Sequence, residues 1–206
     1  MTPRAARWIE VSATVLMSFA ALATSWAGYQ ASLWNGSQLA SGDSATALRT
    51  TSTRNSTRAG QERLVDLELF TSWLSAYARR DTVLERFYRE RFRPEFAPAF
   101  EAWVASRPLH NRAAARTPFA LPEYRLASDA DAQRLSRAAD DASAASRHAN
   151  MASDSYVLTV VILATVMFFA GASQRRSVSW LRLGLIVLAF VMCGAAIYRL
   201  FTSPLG

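Results

Sequence analysis

"YVLTVVILATVMFFAGASQRRSVSWLRLGLIVLAFVMCGAAIYRLF", residues 156–201, decides the fold. Two apolar runs, 156–173 and 180–201, flank a short link that carries Arg175 and Arg176. A bilayer hydrocarbon core of about 30 Å is crossed by about 20 helical residues. Each run is therefore long enough to span, and the short link between them makes a hairpin. Toward the N-terminus lies a third run, "WIEVSATVLMSFAALATSWAGYQ" at 8–30, richer in Ser and Thr. Trp8, Trp26, Tyr29, Trp34, Tyr156, Trp180 and Tyr198 stand at the edges of these runs, where aromatic side chains favour the membrane interface.

Charge gives the orientation. All 23 basic residues are arginine and the net charge is +7. Residues 31–155 carry 17 Arg against 15 Asp and Glu, so most of the excess flanks the apolar runs. Arg4 and Arg7 precede the first run, and "QRRSVSWLR" joins the other two. Short arginine-bearing flanks stay cytoplasmic, which leaves residues 35–155 and the C-terminus outside. The competing reading is a cleaved leader, since "ALA" at 21–23 resembles a cleavage site. Against it, Glu10 abuts the apolar stretch, and aromatic residues continue to Trp34. The lone cysteine, Cys193, excludes an intrachain disulfide and a thiolate metal cluster.

The expected fold class is all-α: three membrane helices with a helical extracytoplasmic domain between the first and second. Residues 1–34 form the N-terminus and first membrane helix, 35–155 the outer domain, and 156–206 the hairpin. Within the outer domain, 35–60 and 126–155 are small, polar and alanine-rich. They read as an antiparallel stalk continuing the membrane helices, with a flexible tether as the alternative for 35–60. The head, 61–125, holds the large side chains. Leu64, Leu67, Phe70, Trp73 or Leu74, and Tyr77 recur at helical spacing, followed by Leu84, Phe87, Tyr88, Phe92, Phe96, Phe100, Trp103 and Val104. Pro94 and Pro98 interrupt the second set. Phe87, Phe96, Phe100 and Trp103 are expected in the core.

"RFYRERFRPEF" at 86–96 alternates arginine with aromatics, as a nucleic-acid groove does. Between 79 and 101, however, six arginines meet five acids. Glu85–Arg89, Arg86–Glu90 and Arg91–Glu95 are spaced as helical ion pairs. Nucleic acid is excluded on that ground and by the outside location. Arg89 and Arg93 form a possible contact for an acidic headgroup or a carboxylate ligand. Glu10, Arg182, Asp154 and Arg199, at the edges of the membrane runs, are possible functional or pairing charges. Glu10 is expected to pair with Arg182, or to line a pore. Ala20, Thr24 and Gly28, beside Ala13, Met17, Ala21 and Ser25, offer a small-residue face for helix packing within or between protomers. His110 and His148 read as solvated, and no catalytic, cofactor or metal motif is present; "NGS" (35–37) and "NST" (55–57) match a glycosylation acceptor.

"ATSWAGYQASLWNGSQ" (23–38), "LFTSWLSAYA" (69–78), "FYRERFRPEFAPAFEAW" (87–103) and "TPFALPEY" (117–124), followed by the hairpin, resemble a family of uncharacterised bacterial membrane proteins with three membrane helices and a helical periplasmic domain. The resemblance implies a bacterial inner membrane and supplies no site residues. The expected function is a non-enzymatic scaffold or interaction protein, with the lipid bilayer, itself, or a periplasmic or membrane protein as partner. The alternatives are an oligomeric channel lined by the first helix, and a periplasmic sensor needing a separate signalling partner.

Overall fold

The computed structural model describes residues 3–108, 110–175 and 179–204, with side chains for 7–108, 110–174 and 180–204. Arg4, Arg175 and Arg176, on which the orientation argument draws, lie outside the described side chains. The chain is all-α. Five helices, α1 (Pro3–Ala78), α2 (Thr82–Arg89), α3 (Ala97–Ala105), α4 (Ala127–Arg175) and α5 (Ser179–Thr202), are joined by a 3₁₀ turn at Pro118–Ala120, with no strand among the described residues. Stretches of α1, α4 and α5 are long and apolar enough to cross a membrane. The fold divides into one unit of Met1–Ser44 with Ala142–Gly206 and another of Ala45–Asp141.

Helix α1 runs unbroken through 35–60, so that stretch is not a tether. Its threonines are accommodated by bonding backward. The hydroxyls of Thr50, Thr51 and Thr53 donate to the carbonyls of Thr46, Ala47 and Arg49 at 2.9–3.0 Å, which satisfies the side chain without opening the helix. The helix stops at Arg80, whose φ of 60° places it in the left-handed region. The amides of Arg80 and Asp81 donate to the carbonyls of Tyr77 and Ala76, each at 3.0 Å. That is a Schellman stop with arginine where glycine is usual. Asp81 then caps α2, accepting the Leu84 amide at 3.0 Å.

The first unit packs α1, α4 and α5 along seams with alternating steps of three and four. The stepped buried positions on α1 include Ala13, Leu16, Ala20, Ala23, Ala27 and Gln30, with Ala31 beside them; on α4, Ala149, Ala152, Tyr156, Thr159, Leu163, Val166, Ala170 and Ser173, with Ser153 beside them; on α5, Ile186, Ala189, Cys193 and Ala196. Such spacing keeps one face toward its neighbour in a gently supercoiled bundle. The observed seam differs from the expected faces. Ala13 and Ala20 are buried, but Ala21, Ser25 and Gly28 are exposed, because a strict step of four drifts around the helix. Hydroxyls cross the α1–α4 seam: Ser153 donates to the Ala31 carbonyl at 3.1 Å and Ser146 to that of Gln38 at 2.9 Å.

The second unit is built on aromatics. Phe70, Trp73, Phe92, Phe96, Phe100 and Trp103 form its core, walled by Tyr88, Phe119, Leu121 and Tyr124. Phe70 stands edge-on to Trp103 at 5.3 Å and to Phe119 at 5.7 Å, a favoured ring geometry. Here several expectations are corrected. Phe87 is 42% exposed and lies under the Arg91 guanidinium, 3.5 Å from its ring centroid. Leu64, Leu67, Tyr77, Leu84 and Val104 are exposed as well. For Leu84 and Phe87 the cause is the break between α2 and α3: residues 90–96 turn the chain, Pro98 sits in the first turn of α3, and one helical phase no longer relates 84–88 to 96–104.

Candidate functional site

The second unit contains a cleft of about 200 Å³ beside its aromatic core. Trp73, Phe100 and Trp103 form the floor, and Glu85, Arg89 and Arg107 stand among its walls. Trp103 is fixed because its indole N–H donates to the Ala115 carbonyl at 2.8 Å. The indole N–H of Trp73 is buried and has no acceptor among the described residues. Arg89 is held by two bonds to Glu101, at 3.0 and 2.7 Å. Arg107 differs. Its backbone adopts φ 51°, and its carbonyl accepts the amides of His110 and Asn111, both at 2.9 Å. Among the described residues no carboxylate lies within salt-bridge distance of its guanidinium. A left-handed arginine costs conformational energy, and here it sets a free cation beside an apolar floor. That combination suits an apolar group flanked by a carboxylate.

Beside this cleft, Arg93 anchors a second cluster. It reaches Asp66 at 3.2 Å, Glu95 at 3.3 Å and Glu62 at 3.5 Å. Asp66 is fully buried, and its Oδ2 also accepts the Tyr124 hydroxyl at 2.9 Å. Its Oδ1 has no partner among the described residues. Burial raises the Asp66 carboxyl above its ordinary value, against the lowering pull of Tyr124 and Arg93. Glu62 is lowered, chiefly by the hydroxyl of Ser128, which donates to it at 2.6 Å. Burial and the neighbouring Asp66 push the Tyr124 phenol well up.

Arg89 and Arg93 therefore do not converge on one anion, since each is engaged by carboxylates of this chain. The expected pairs Glu85–Arg89, Arg86–Glu90 and Arg91–Glu95 are not formed among the described residues. Arg89 turns to Glu101 and Glu95 to Arg93, while Arg91 donates to the Phe87 carbonyl. In the first unit, Arg182 pairs with Glu10 at 3.2 Å. Asp154 is exposed and accepts the Asn150 amide at 3.0 Å. Arg199 turns instead to the Ser155 hydroxyl at 3.3 Å. His148 is exposed, with its ring edge-on to Trp34 at 5.9 Å.

Comparison with known protein families, curated proteins and solved structures finds no match. Sequence reasoning passed over Asp66, Arg107 and Tyr124 as functional candidates. The signal for Asp66 was present: it stands one step before Phe70 and Trp73 on the same helical stripe, an acid at a core position. Arg107 carries no comparable signal, because its freedom depends on where distant carboxylates lie.

Proposed function

We infer that the protein is a non-enzymatic interaction protein of a bacterial inner membrane. Three helices anchor it, with the N-terminus cytoplasmic and the second unit in the periplasm. The observation that carries the membrane reading is the inverted distribution of size in the first unit. Alanine recurs along the seams of α1, α4 and α5, while Trp8, Val11, Val15, Phe19, Leu22 and Trp26 are exposed on α1. Helices in lipid pack through small residues and turn large apolar ones to the acyl chains.

The same packing favours interaction over a pore. The Ala13–Ala20–Ala27 face of α1 is spent within the protomer, and the Glu10 carboxylate is held by Arg182. On the exposed side of α1 the hydroxyls of Thr14 and Ser25 turn back to the carbonyls of Glu10 and Ala21, at 2.9 and 3.1 Å. Recognition then falls to the second unit, where the cleft at Trp73 and Arg107 is suited to a protein segment that presents an apolar side chain next to an acid.

The test uses the full chain in intact cells, in a Cys193→Ala background. Cysteine at Ser136, exposed on α4, should react with a membrane-impermeant thiol reagent, and cysteine at Ser177 should not. A photo-crosslinking residue at Val104, beside the cleft, should give one discrete protein adduct that Arg107→Glu removes. The reverse labelling pattern overturns the topology. An adduct indifferent to Arg107→Glu overturns the cleft as the docking site.

A further inference from the structure

Where α5 ends, its last turn and α4 enclose an open cleft of about 390 Å³. Arg199 lies in it, with Ser155, Tyr198, Thr202, Ser203 and His148 around it. Arg199 is the basic residue of the last turn of α5. No carboxylate lies within salt-bridge distance among the described residues, Asp154 included. Its Nη2 reaches only the Ser155 hydroxyl, at 3.3 Å, and its Nε is buried without an acceptor. A buried guanidinium N–H left unpaired is costly, so the site is incomplete as the chain alone makes it.

The surroundings are rigid. The Trp34 indole and the Tyr156 hydroxyl both donate to the Pro204 carbonyl, at 3.1 and 2.9 Å. They pin the segment that leaves α5. The hydroxyls of Ser155 and Ser203 lie 3.0 Å apart, and either can turn its proton toward an added acceptor. Trp34, Tyr156 and Tyr198 are the residue types that mark the interface between acyl chains and headgroups. An arginine fork with hydroxyl donors beside it matches the oxygens of a phosphate.

We propose that this cleft binds the phosphate of an anionic phospholipid headgroup in the outer leaflet, with Arg199 as the principal contact and Ser155 and Ser203 as auxiliary donors. The placement rests on the membrane reading above. The alternative source of the same chemistry is free inorganic phosphate. A choline-bearing headgroup is disfavoured because its own cation would face Arg199.

The full chain is to be reconstituted in phosphatidylcholine nanodiscs and titrated with phosphatidylglycerol, with retained lipid read by native mass spectrometry. The wild type should retain phosphatidylglycerol selectively. Arg199→Gln should weaken retention about tenfold, the scale of one lost charged hydrogen bond, and Arg199→Lys should lie between the two. Arg147→Gln, an exposed change on α4 outside the cleft, should leave it unaltered. Retention unchanged in Arg199→Gln overturns the site. Inorganic phosphate that displaces phosphatidylglycerol at equal concentration overturns the lipid as the ligand. Failure of the chain to enter phosphatidylcholine nanodiscs at all overturns the membrane reading instead, so the two failures are distinct.

Discussion

The two units pack by opposite means. Between α1, α4 and α5 alanines recur along the seam beside Leu16, Leu163 and Val166, and backbones come close enough for Ser153 and Ser146 to bond to carbonyls of the neighbouring helix. In the second unit the contact residues are Phe70, Trp73, Phe96, Phe100 and Trp103, which meet through edge-on and tilted rings. The contrast is what the proposed placement calls for, with the first unit in lipid and the second in water. Where the outside is as apolar as the inside, burying a large side chain gains little, and cohesion comes from close approach and interhelical hydrogen bonds. In water, a short two-turn helix such as α3 is held by the apolar area it buries, and aromatics supply the most per residue.

The sharpest way to break the comparison is to truncate one ring. Phe100 is fully buried in the second unit. Phe100→Ala should cost about 3–5 kcal/mol. Limited proteolysis of the full chain in detergent should then cut within 82–125, while α5 stays protected. Simultaneous exposure of both units would show that they unfold as one body and that their packing is not separable.

The converse experiment enlarges the seam. Ala20 is fully buried between helices. Ala20→Leu should cost about 1–3 kcal/mol by overpacking, read as a lower unfolding temperature of the detergent-solubilised bundle. The same change at exposed Ala21, which the expected faces had treated as equivalent, should be close to neutral. Equal effects at the two positions would refute the alternating seam.

The smallest effect concerns pH. Asp66 has a folded pKa raised above its unfolded value. The folded state therefore holds that proton more tightly, and the associated stability is present below the unfolded value and lost as pH rises through the folded one. Glu62 has the opposite sign. Its folded pKa is lowered, so its contribution is present above the unfolded value and is lost as pH falls through the folded one. Thermal melts of Asp66→Asn and the wild type across the acidic range separate the two. The wild type should lose stability relative to Asp66→Asn as pH rises from the ordinary aspartate value, then run parallel to it. A wild type that instead gains stability relative to Asp66→Asn as pH rises would mean that Tyr124 and Arg93 outweigh burial.

Much of the first unit was legible because hydropathy averages over about 20 residues and tolerates single exceptions. The face of α1 was harder to read. Alanine contributes little hydropathic contrast, so Ala13, Leu16, Ala20, Ala23 and Ala27 reveal their phase only when the step of three and four is counted. In the second unit Phe96, Phe100 and Trp103 were legible from their spacing, and Phe87 was misplaced because one helical phase was carried across the turn at 90–96. The aromatic cleft was out of reach of local pattern, since Trp73, Glu85 and Arg107 come together only through tertiary packing. Arg93 was singled out for its spacing with Arg89, but two of its partners, Asp66 and Glu62, lie on another helix.

The alternating seam carries a consequence for how α1 and α4 are kept in register. Ser146 and Ser153 are seven apart, and so are the carbonyls of Gln38 and Ala31 that they reach. A slip of one heptad would hand one serine to the other's acceptor, so these two bonds by themselves are a ruler with repeating marks. Tyr156 removes the ambiguity. It is fully buried against Ala27 and Ala31, with its hydroxyl on Pro204. After a one-heptad slide in either direction its ring would meet a different pair of α1 residues and leave that acceptor behind. Tyr156 thus acts as the pawl of a ratchet, and Tyr156→Ala removes the largest of the fully buried side chains that tell one mark from the next.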